Sequence, residues 1–234
     1  MAGIKKEEVK RILYGMGADL VGIAPVDRFG DAPKGFHPCD VLRHCRSVIV
    51  IAKSFPAGTI FCNNNLPYTL AKNVLSDMLD KLSVQFCTHM ERYGITAVPT
   101  GTMSYGFDER TDRLRAVISA KHSAVAAGLG RIGRNTLVTT PEYGNMVWFT
   151  AVLTDAELEG DDVLTGDPCP DGCSLCRDHC PVGALGRTEM DQMACHSYTF
   201  KKGDSESIVF NCHTCRTICP LCLGTRNRLL EADG

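Results

Sequence analysis

Cysteine is the residue that most constrains this chain. Its 234 residues include 13 cysteines, and nine of these lie at short spacings between Cys169 and Cys222. The N-terminus is charged, no apolar run of signal-peptide type follows it, and the chain lacks the roughly 18 successive apolar residues of a membrane span. We therefore expect a cytoplasmic protein without a membrane segment. Because disulfides are rare in that reducing compartment, the clustered thiols predict bound metal.

Two cysteine motifs repeat one spacing. The pattern C-x2-C-x3-C-P begins at Cys173 and begins again at Cys212. Bacterial two-cluster ferredoxins carry C-x2-C-x2-C-x3-C-P, in which the fourth cysteine ligates the other cluster. The sequence therefore predicts two cross-ligated [4Fe–4S] clusters, with Cys222 left spare. The predicted ligands are Cys169, Cys173, Cys176 and Cys219 for the first cluster, and Cys180, Cys195, Cys212 and Cys215 for the second.

Structural zinc is the alternative, because C-x2-C pairs also suit tetrahedral zinc sites. Zinc motifs rarely carry the C-P ending twice, so the pattern favours iron–sulfur clusters. The neighbouring histidines, His179, His196 and His213, are expected beside ligands rather than as ligands. Four cysteines, Cys39, Cys45, Cys62 and Cys87, are scattered. Cys39, His44, Cys45 and Cys62 could suggest a third metal site, but their irregular spacing fits no template, and these thiols are predicted to be free and buried.

The rest of the chain predicts a layered α/β or α+β domain over residues 1–160, followed by a cysteine-rich domain over residues 161–234. The acidic, glycine-containing segment 155–168 is interpreted as a linker. Apolar spacing predicts helices at 4–17, 67–93 and 123–127, and the stripe from Leu70 to Met90 is assigned to the core. Short apolar runs predict strands at 20–24, 47–52, 95–98, 114–119, 136–139 and 146–153.

Several segments resemble one family. Residues 127–137 read AGLGRIGRNTL and resemble the AGLGWIGKNTLL signature of the epoxyqueuosine reductases. Residues 148–155, WFTAVLTD, are similar to FLGEILTD of that family, and residues 195–199, CHSYT, to its C-x-SYLT, whose cysteine is a cluster ligand. The run ADLVGIAP at 18–25 fits as well.

This resemblance implies a nitroreductase-like N-terminal domain that holds cobalamin, joined to a bacterial two-[4Fe–4S] ferredoxin-like module. The clusters would deliver single electrons that reduce cobalt to Co(I). By analogy, residues 127–137 would lie near the corrinoid, where glycine permits close backbone approach. The implied cofactor-binding residues are Gly128, Gly130, Arg131, Gly133 and Asn135. Without the family, the same G-x-G-x-x-G string indicates either a weak dinucleotide motif or a tight turn at a helix end.

A glycine-flanked loop at 101–113 could face a ligand. Tyr105 or Asp108 in this loop could donate a proton to a reduced substrate, and we name these two as the candidate catalytic residues. The alternative is a solvated loop whose charges pair with Arg110 and Arg113.

The sequence also departs from the family. Residues 98–100 read VPT where the family carries the acid of a V-D-[ST] segment, and residues 71–75 read AKNVL where it carries G-R-D-Y-H. The chain ends twelve residues after Cys222, which predicts a short form without the C-terminal repeat domain. These differences favour a corrinoid or small-molecule substrate over epoxyqueuosine.

Two functions from different classes follow. The first is an iron–sulfur oxidoreductase that passes electrons through both clusters to cobalamin or another acceptor in the N-terminal domain. The second is a ferredoxin-type electron carrier whose N-terminal domain only docks partners. Either would receive electrons from a ferredoxin or flavodoxin. The net charge of −2 provides no overall basic field, so nucleic acid is not expected as a partner. A third alternative keeps the tRNA role of the family, with the substrate bound through a basic tail formed by Arg226 and Arg228.

Overall fold

The computed structural model describes residues 4–102, 106–108, 113–186, 189–202 and 208–227. Its α-helices are α1 Lys6–Gly15, α2 Pro38–Val41, α3 Leu66–Met90, α4 Ala120–Ala126, α5 Leu175–Asp178, α6 Gln192–Thr199 and α7 Thr214–Thr217. Its strands are β1 Leu20–Pro25, β2 Ser47–Ser54, β3 Ala97–Pro99, β4 Phe107–Asp108, β5 Arg113–Leu114, β6 Arg131–Ile132, β7 Val138–Thr139, β8 Val147–Thr154, β9 Phe200–Lys202 and β10 Ile208–Phe210. Short 3-10 turns cover Val26–Phe29, Ala57–Ile60, Glu91–Tyr93 and Gly224–Arg226.

The main sheet has four antiparallel strands in the order β1-β2-β8-β3. Strand β2 is almost continuously apolar and is buried along residues 47–52. Such a run indicates a strand covered on both faces. Helices α1 and α3 pack on one face through Leu13 and Leu79, and α4 packs on the other through Ala124. The mixed α/β fold and these buried strands are confirmed.

Helix α3 corresponds to the longest predicted helix. It continues into a 3-10 turn that ends at Gly94, whose φ of +67° is a left-handed conformation that favours glycine. The prediction that the whole apolar stripe is core is wrong in part. Of the predicted stripe, Leu82, Phe86 and Met90 are buried, whereas Leu70 is 65% exposed and Met78 is 43% exposed. Leu75 and Leu79, which the stripe did not include, are buried. Apolar residues lie on both sides of this helix, and their spacing alone does not tell which side the sheet covers.

The strand predicted at 114–119 is mostly absent. Strand β5 ends at Leu114, and Ser119 instead begins α4, where its hydroxyl accepts a hydrogen bond from the backbone of His122. A serine ahead of a small-residue helix is a typical N-cap.

Apolar residues pack in one cluster on each face of the main sheet, and a further cluster, here called the third apolar cluster, joins the two parts of the chain. Phe55 and Tyr68 stack at 5.2 Å between ring centroids, and they pack in one buried group with Phe210, Cys222 and Leu223. The cysteine-rich part therefore shares a core with β2 and α3.

The segment predicted to be a linker packs on the main sheet. Leu158 is buried and its backbone donates to Ser47, and Asp161 accepts from the backbone of Ile23 at 2.9 Å. A domain boundary near residue 160 stays a prediction. Among the described residues, no helix combines the length and the apolar character of a membrane span.

Candidate metal centre

Four cysteines from both repeated motifs surround one cleft. The cleft measures about 360 Å³, part of it open to solvent, and its lining includes Cys169, Cys173, Cys176 and Cys219. These are the four residues predicted to ligate the first cluster. The structure therefore brings together residues that are up to 50 positions apart in the chain.

The equal spacing of the two motifs produces two similar turns. Helix α5 follows Cys173 and contains Cys176, and helix α7 follows Cys212 and contains Cys215. After α5, Cys180 donates its backbone N–H to the carbonyl oxygen of Arg177 at 3.2 Å. After α7, Cys219 donates in the same way to the carbonyl oxygen of Arg216, also at 3.2 Å. The two short helices pack against each other. This pairing carries Cys219 to the cleft of the other motif.

The other four predicted ligands form a second group. Burial raises the pKa of Cys195, and the nearby charges of Cys180 and Cys212 raise it further. Burial likewise raises the pKa of Cys215 to about 11, and the thiolate forms of Cys195 and Cys212, together with that of Cys176 from the first set, raise it further. Each of these thiols therefore lies close to others of its predicted set. The ligand assignment itself stays a prediction.

Several donors around the cysteines have no hydrogen-bond partner among the described residues. The unpaired atoms include Nδ1 of His213, the residue after Cys212, and Nε of Arg177, the residue after Cys176. Asn145 is fully buried with its side-chain amide unpaired. Because buried donors normally find acceptors, these groups suit a site whose sulfurs lie beside the cysteines. Within the described ranges, no three His, Cys, Asp or Glu side chains converge closely enough to hold a single metal ion.

The turn at 133–137 contacts both cysteine groups. Arg134 donates its backbone N–H to Cys169 Sγ at 3.3 Å. Asn135, 4% exposed, donates its side-chain amide to the carbonyl oxygen of Cys215 at 3.0 Å and accepts from the backbone of Leu137. Thr136 has a φ of +62°, uncommon for a β-branched residue. A strained, doubly anchored turn of this kind is typical of a functional site.

Two of the other predicted cofactor residues, Gly128 and Arg131, also contact the cysteine-rich part. A side chain at Gly128, where φ is +72°, would meet the carbonyl of Asp162. Gly130 lies against the carbonyl of Thr139, and Arg131 donates to the carbonyl of Thr165 at 2.7 Å. These glycines allow close backbone approach, here to protein. Their proximity to a corrinoid stays a prediction.

The candidate catalytic loop is described only in part. Tyr105 lies outside the described residues. Asp108 belongs to β4, where its backbone pairs with Arg113 in β5, and its side chain is not described. Both assignments stay predictions.

A carboxylate that the sequence analysis missed reaches the start of this loop. Asp80, on α3, accepts hydrogen bonds from the backbone and the hydroxyl of Thr102 at 2.8 and 2.9 Å. Thr100, at the end of β3, is buried and donates to the carbonyl of Ala151. Asp80 therefore brings a carboxylate near the place where residues 98–100 provide none.

Two cations near the second group of thiols were also missed as site residues. Arg216 is 5% exposed, lies over the rings of Phe55 and Trp148, and donates to the carbonyl of Asn145. Lys121 donates to the carbonyl of Thr136 at 2.9 Å. A basic residue inside the C-x3-C spacing was the available signal for Arg216.

The remaining cysteines lie apart from the cleft lining. Cys222 is buried in the third apolar cluster, and burial raises its pKa to about 11. Of the scattered cysteines, Cys45 and Cys87 are buried and Cys39 is half-buried, whereas Cys62 is exposed, so the prediction of a buried thiol is wrong for Cys62.

Comparison with known proteins gives a consistent result, although no family model matches the chain. The chain is 27% identical to the epoxyqueuosine reductase of Bacillus subtilis (strain 168) over 261 residues, covering 92% of this chain and 63% of that protein. It is 33% identical to the Staphylococcus aureus epoxyqueuosine reductase over 117 residues, which span 44% of this chain and 30% of the relative. The chain thus spans less than two thirds of the length of these relatives.

Solved structures show the same likeness. A crystal structure of selenomethionine-labelled epoxyqueuosine reductase has a TM-score of 0.66 and 25% identity, covering 93% of this chain and 65% of that one. An epoxyqueuosine reductase bound to an epoxyqueuosine-modified tRNA stem loop also scores 0.66, at 24% identity and the same coverage. A catabolic reductive dehalogenase with 3-bromo-4-hydroxybenzoic acid shares the fold with a TM-score of 0.68, at 16% identity over 96% of this chain and 33% of that chain. The chain is therefore epoxyqueuosine reductase-like in sequence and fold.

Proposed function

We propose that this chain is an iron–sulfur oxidoreductase that passes single electrons through two [4Fe–4S] clusters to a cobalamin in its sheet-bearing part. The observation that carries the proposal is the cleft lined by cysteines from both motifs, Cys169, Cys173, Cys176 and Cys219. Eight thiols in two groups match the ligand requirement of two clusters. No observation favours the alternative of a ferredoxin-type carrier with a docking domain.

The finer architecture belongs to the same proposal. Residues 1–160 form the nitroreductase-like, corrinoid-binding domain, and residues 161–234 form the ferredoxin-like module. The cobalamin would supply a strongly reducing cobalt centre. Its support is the likeness to the reductive dehalogenases, one of which is described as B12-dependent.

Residues of this chain would then divide the work. The thiols would hold the clusters, and Arg177 and His213, whose unpaired nitrogens adjoin predicted ligands in the chain, would be available to donate to the cluster sulfurs. Pro170, Asp171 and Gly172 are exposed beside the first cleft, and there a ferredoxin or flavodoxin would dock to deliver electrons. Asp80, which accepts hydrogen bonds from Thr102, is the described carboxylate that would supply a proton to a reduced substrate.

The expectation that nucleic acid is not a partner needs correction. One of the similar solved structures is an epoxyqueuosine reductase with a tRNA stem loop. We therefore add tRNA to corrinoids and small molecules as a proposed substrate of this chain. The predicted basic tail is a weak candidate for the contact. Arg226 donates to the carbonyl of Phe55 at 2.9 Å and lies over the ring of Tyr143, and Arg228 lies outside the described residues.

The decisive test is metal analysis of anaerobically purified protein, before and after incubation with cobalamin and gel filtration. The proposal expects about eight irons and eight sulfides per chain and one retained cobalt. Iron without retained cobalt would remove the cobalamin part, and zinc in place of iron would overturn the whole proposal. Binding of a tRNA stem loop, followed across a salt series against an unmodified control, tests the substrate class.

A further inference from the structure

Arg216 places a buried positive charge beside the second cysteine group. It follows Cys215 directly and precedes Cys219 by three positions. Its guanidinium lies 5.3 Å from the ring centroid of Phe55, and the residue as a whole is 5% exposed. Among the ion pairs of the described residues, none includes Arg216, so no carboxylate neutralises this charge there.

Lys121 is a second cation near the second cysteine group. Its ammonium donates to the carbonyl of Thr136, and the neighbouring Asn135 bonds to the carbonyl of Cys215. Burial and Arg216 lower the pKa of Lys121, while the nearby thiols Cys195 and Cys215 act in the opposite direction. The ion pairs of the described residues do not include Lys121 either.

The first cluster site has a different charge environment. Its neighbouring cation, Arg134, pairs with Asp167 at 2.9 Å. The same carboxylate accepts the backbone N–H of Cys169 at 2.8 Å. The fields of this pair therefore largely cancel. Arg177, which follows Cys176, is a further cation at this site, but it is only half-buried, so solvent screens its charge more than it screens that of the buried Arg216.

We propose that Arg216 and Lys121 hold the reduction potential of the second cluster above that of the first, which directs electrons from the first to the second. Reduction adds one negative charge to a cluster, and a buried cation stabilises that charge strongly because the surroundings are poorly polarisable. One electron leaves the first cluster, which is oxidised, and enters the second, which is reduced. A one-electron donor protein then re-reduces the first cluster. This inference rests on the proposed function.

The test is an anaerobic redox titration of the cluster-loaded protein, monitored by electron paramagnetic resonance. In Arg216→Gln, the higher of the two midpoint potentials should become more negative while the lower one stays unchanged. At the wild-type midpoint, the ratio of reduced to oxidised second cluster should fall about tenfold, equivalent to about 59 mV for one electron. Lys121→Gln should shift the same midpoint in the same direction.

Two controls separate charge from packing. Arg216→Lys retains the charge and should keep both midpoints near their wild-type values. Arg226→Gln removes a partly buried guanidinium that lies against Tyr143 and Cys222 rather than against a predicted ligand, and it should change neither midpoint.

The outcomes are distinguishable from failure of the proposed function. Wild-type protein without two clusters would defeat that function and leave nothing to titrate. Two intact clusters whose midpoints do not move in Lys121→Gln, or a shift confined to the lower midpoint, would overturn the inference. If Arg216→Gln fails to retain iron, Lys121→Gln decides the matter, since that residue is not adjacent to a ligand.

Discussion

The side-chain amide of Asn135 donates a hydrogen bond of 3.0 Å to the carbonyl oxygen of Cys215, 80 residues further along the chain. This bond connects the turn after α4 with the helix that carries a predicted ligand of the second cluster. The contact fixes the position of the cysteine segment through its backbone, so its effect does not depend on a bound metal.

Replacing Asn135 should therefore weaken the fold. Asn135→Ala leaves the carbonyl of Cys215 and the N–H of Leu137 without their partner, and each buried unpaired group costs about 1–3 kcal/mol. Anaerobic urea denaturation would measure the loss in free energy of unfolding. Asn135→Asp keeps the acceptor for Leu137 but replaces the donor with a buried carboxylate that faces the carbonyl oxygen of Cys215, so it should cost at least as much as alanine. A clearly smaller loss than that of alanine would contradict this geometry.

The predicted cross-ligation implies that replacing Cys219 and replacing Cys222 will have different effects on bound iron. Cys219 lines the cleft, whereas Cys222 lies in the third apolar cluster. Cys219→Ser should reduce bound iron from about eight to about four per chain, and Cys222→Ser should leave about eight. Iron analysis of anaerobically reconstituted protein checks both. Equal losses in the two variants would show that the ligand assignment is wrong.

Gly144 should tolerate no side chain. Its φ is +56°, and a Cβ there would overlap the carbonyls of Leu221 and Cys222. Gly144→Ala combines backbone strain with a clash, and we expect a loss of about 3 kcal/mol in the free energy of unfolding. Gly183→Ala is the matched control, because φ is +62° there and nothing lies within 4 Å of the added Cβ. Strain alone should cost it about 1 kcal/mol. Similar losses in the two variants would rule out a close approach at Gly144.

Alkaline pH should destabilise the protein through a buried thiol. Burial raises the pKa of Cys87 to about 12 from its ordinary 9.0. The folded state therefore holds this proton more tightly than the unfolded state, and its stabilising contribution, complete below pH 9, is lost as pH rises through the folded value. Urea denaturation at several values between pH 8.5 and about 11 should show a decline that Cys87→Ala reduces. Cys62→Ala changes an exposed thiol and should leave the decline of the free energy of unfolding with pH as it is in the wild type. If Cys87→Ala also left that decline unaltered, its assignment to the Cys87 thiol would be wrong.

Local sequence patterns predicted most of the secondary structure because each such element depends on near neighbours. The apolar run at 47–52 specified a strand buried on both faces, and Gly94 specified the end of a long helix. The orientation of α3 was not predictable in the same way. Leu70 and Leu75 are equally apolar, and only the position of the sheet decides that Leu75 is buried and Leu70 exposed.

The grouping of thiols followed from spacing, while the groups that surround them did not. The repeated C-x2-C-x3-C-P motifs place Cys219 beside Cys176 because two similar turns pack together. The bond from Asn135 to Cys215 and the pair Arg134–Asp167 join distant segments, and no periodicity records such contacts. Arg216 was visible in the motif, but its burial depends on the rings of Phe55 and Trp148.

The apolar cluster shared by Phe55, Tyr68 and Phe210 has a consequence for damage. Loss of the clusters would loosen the cysteine segment, and that segment contributes side chains to the core beneath β2 and α3. Oxygen exposure should thus act on the entire chain as a denaturant does, so that inactivation and precipitation occur together. With the proposed clusters, a chain assembled in this way would lack a stable apo form, and its folding would depend on cluster delivery.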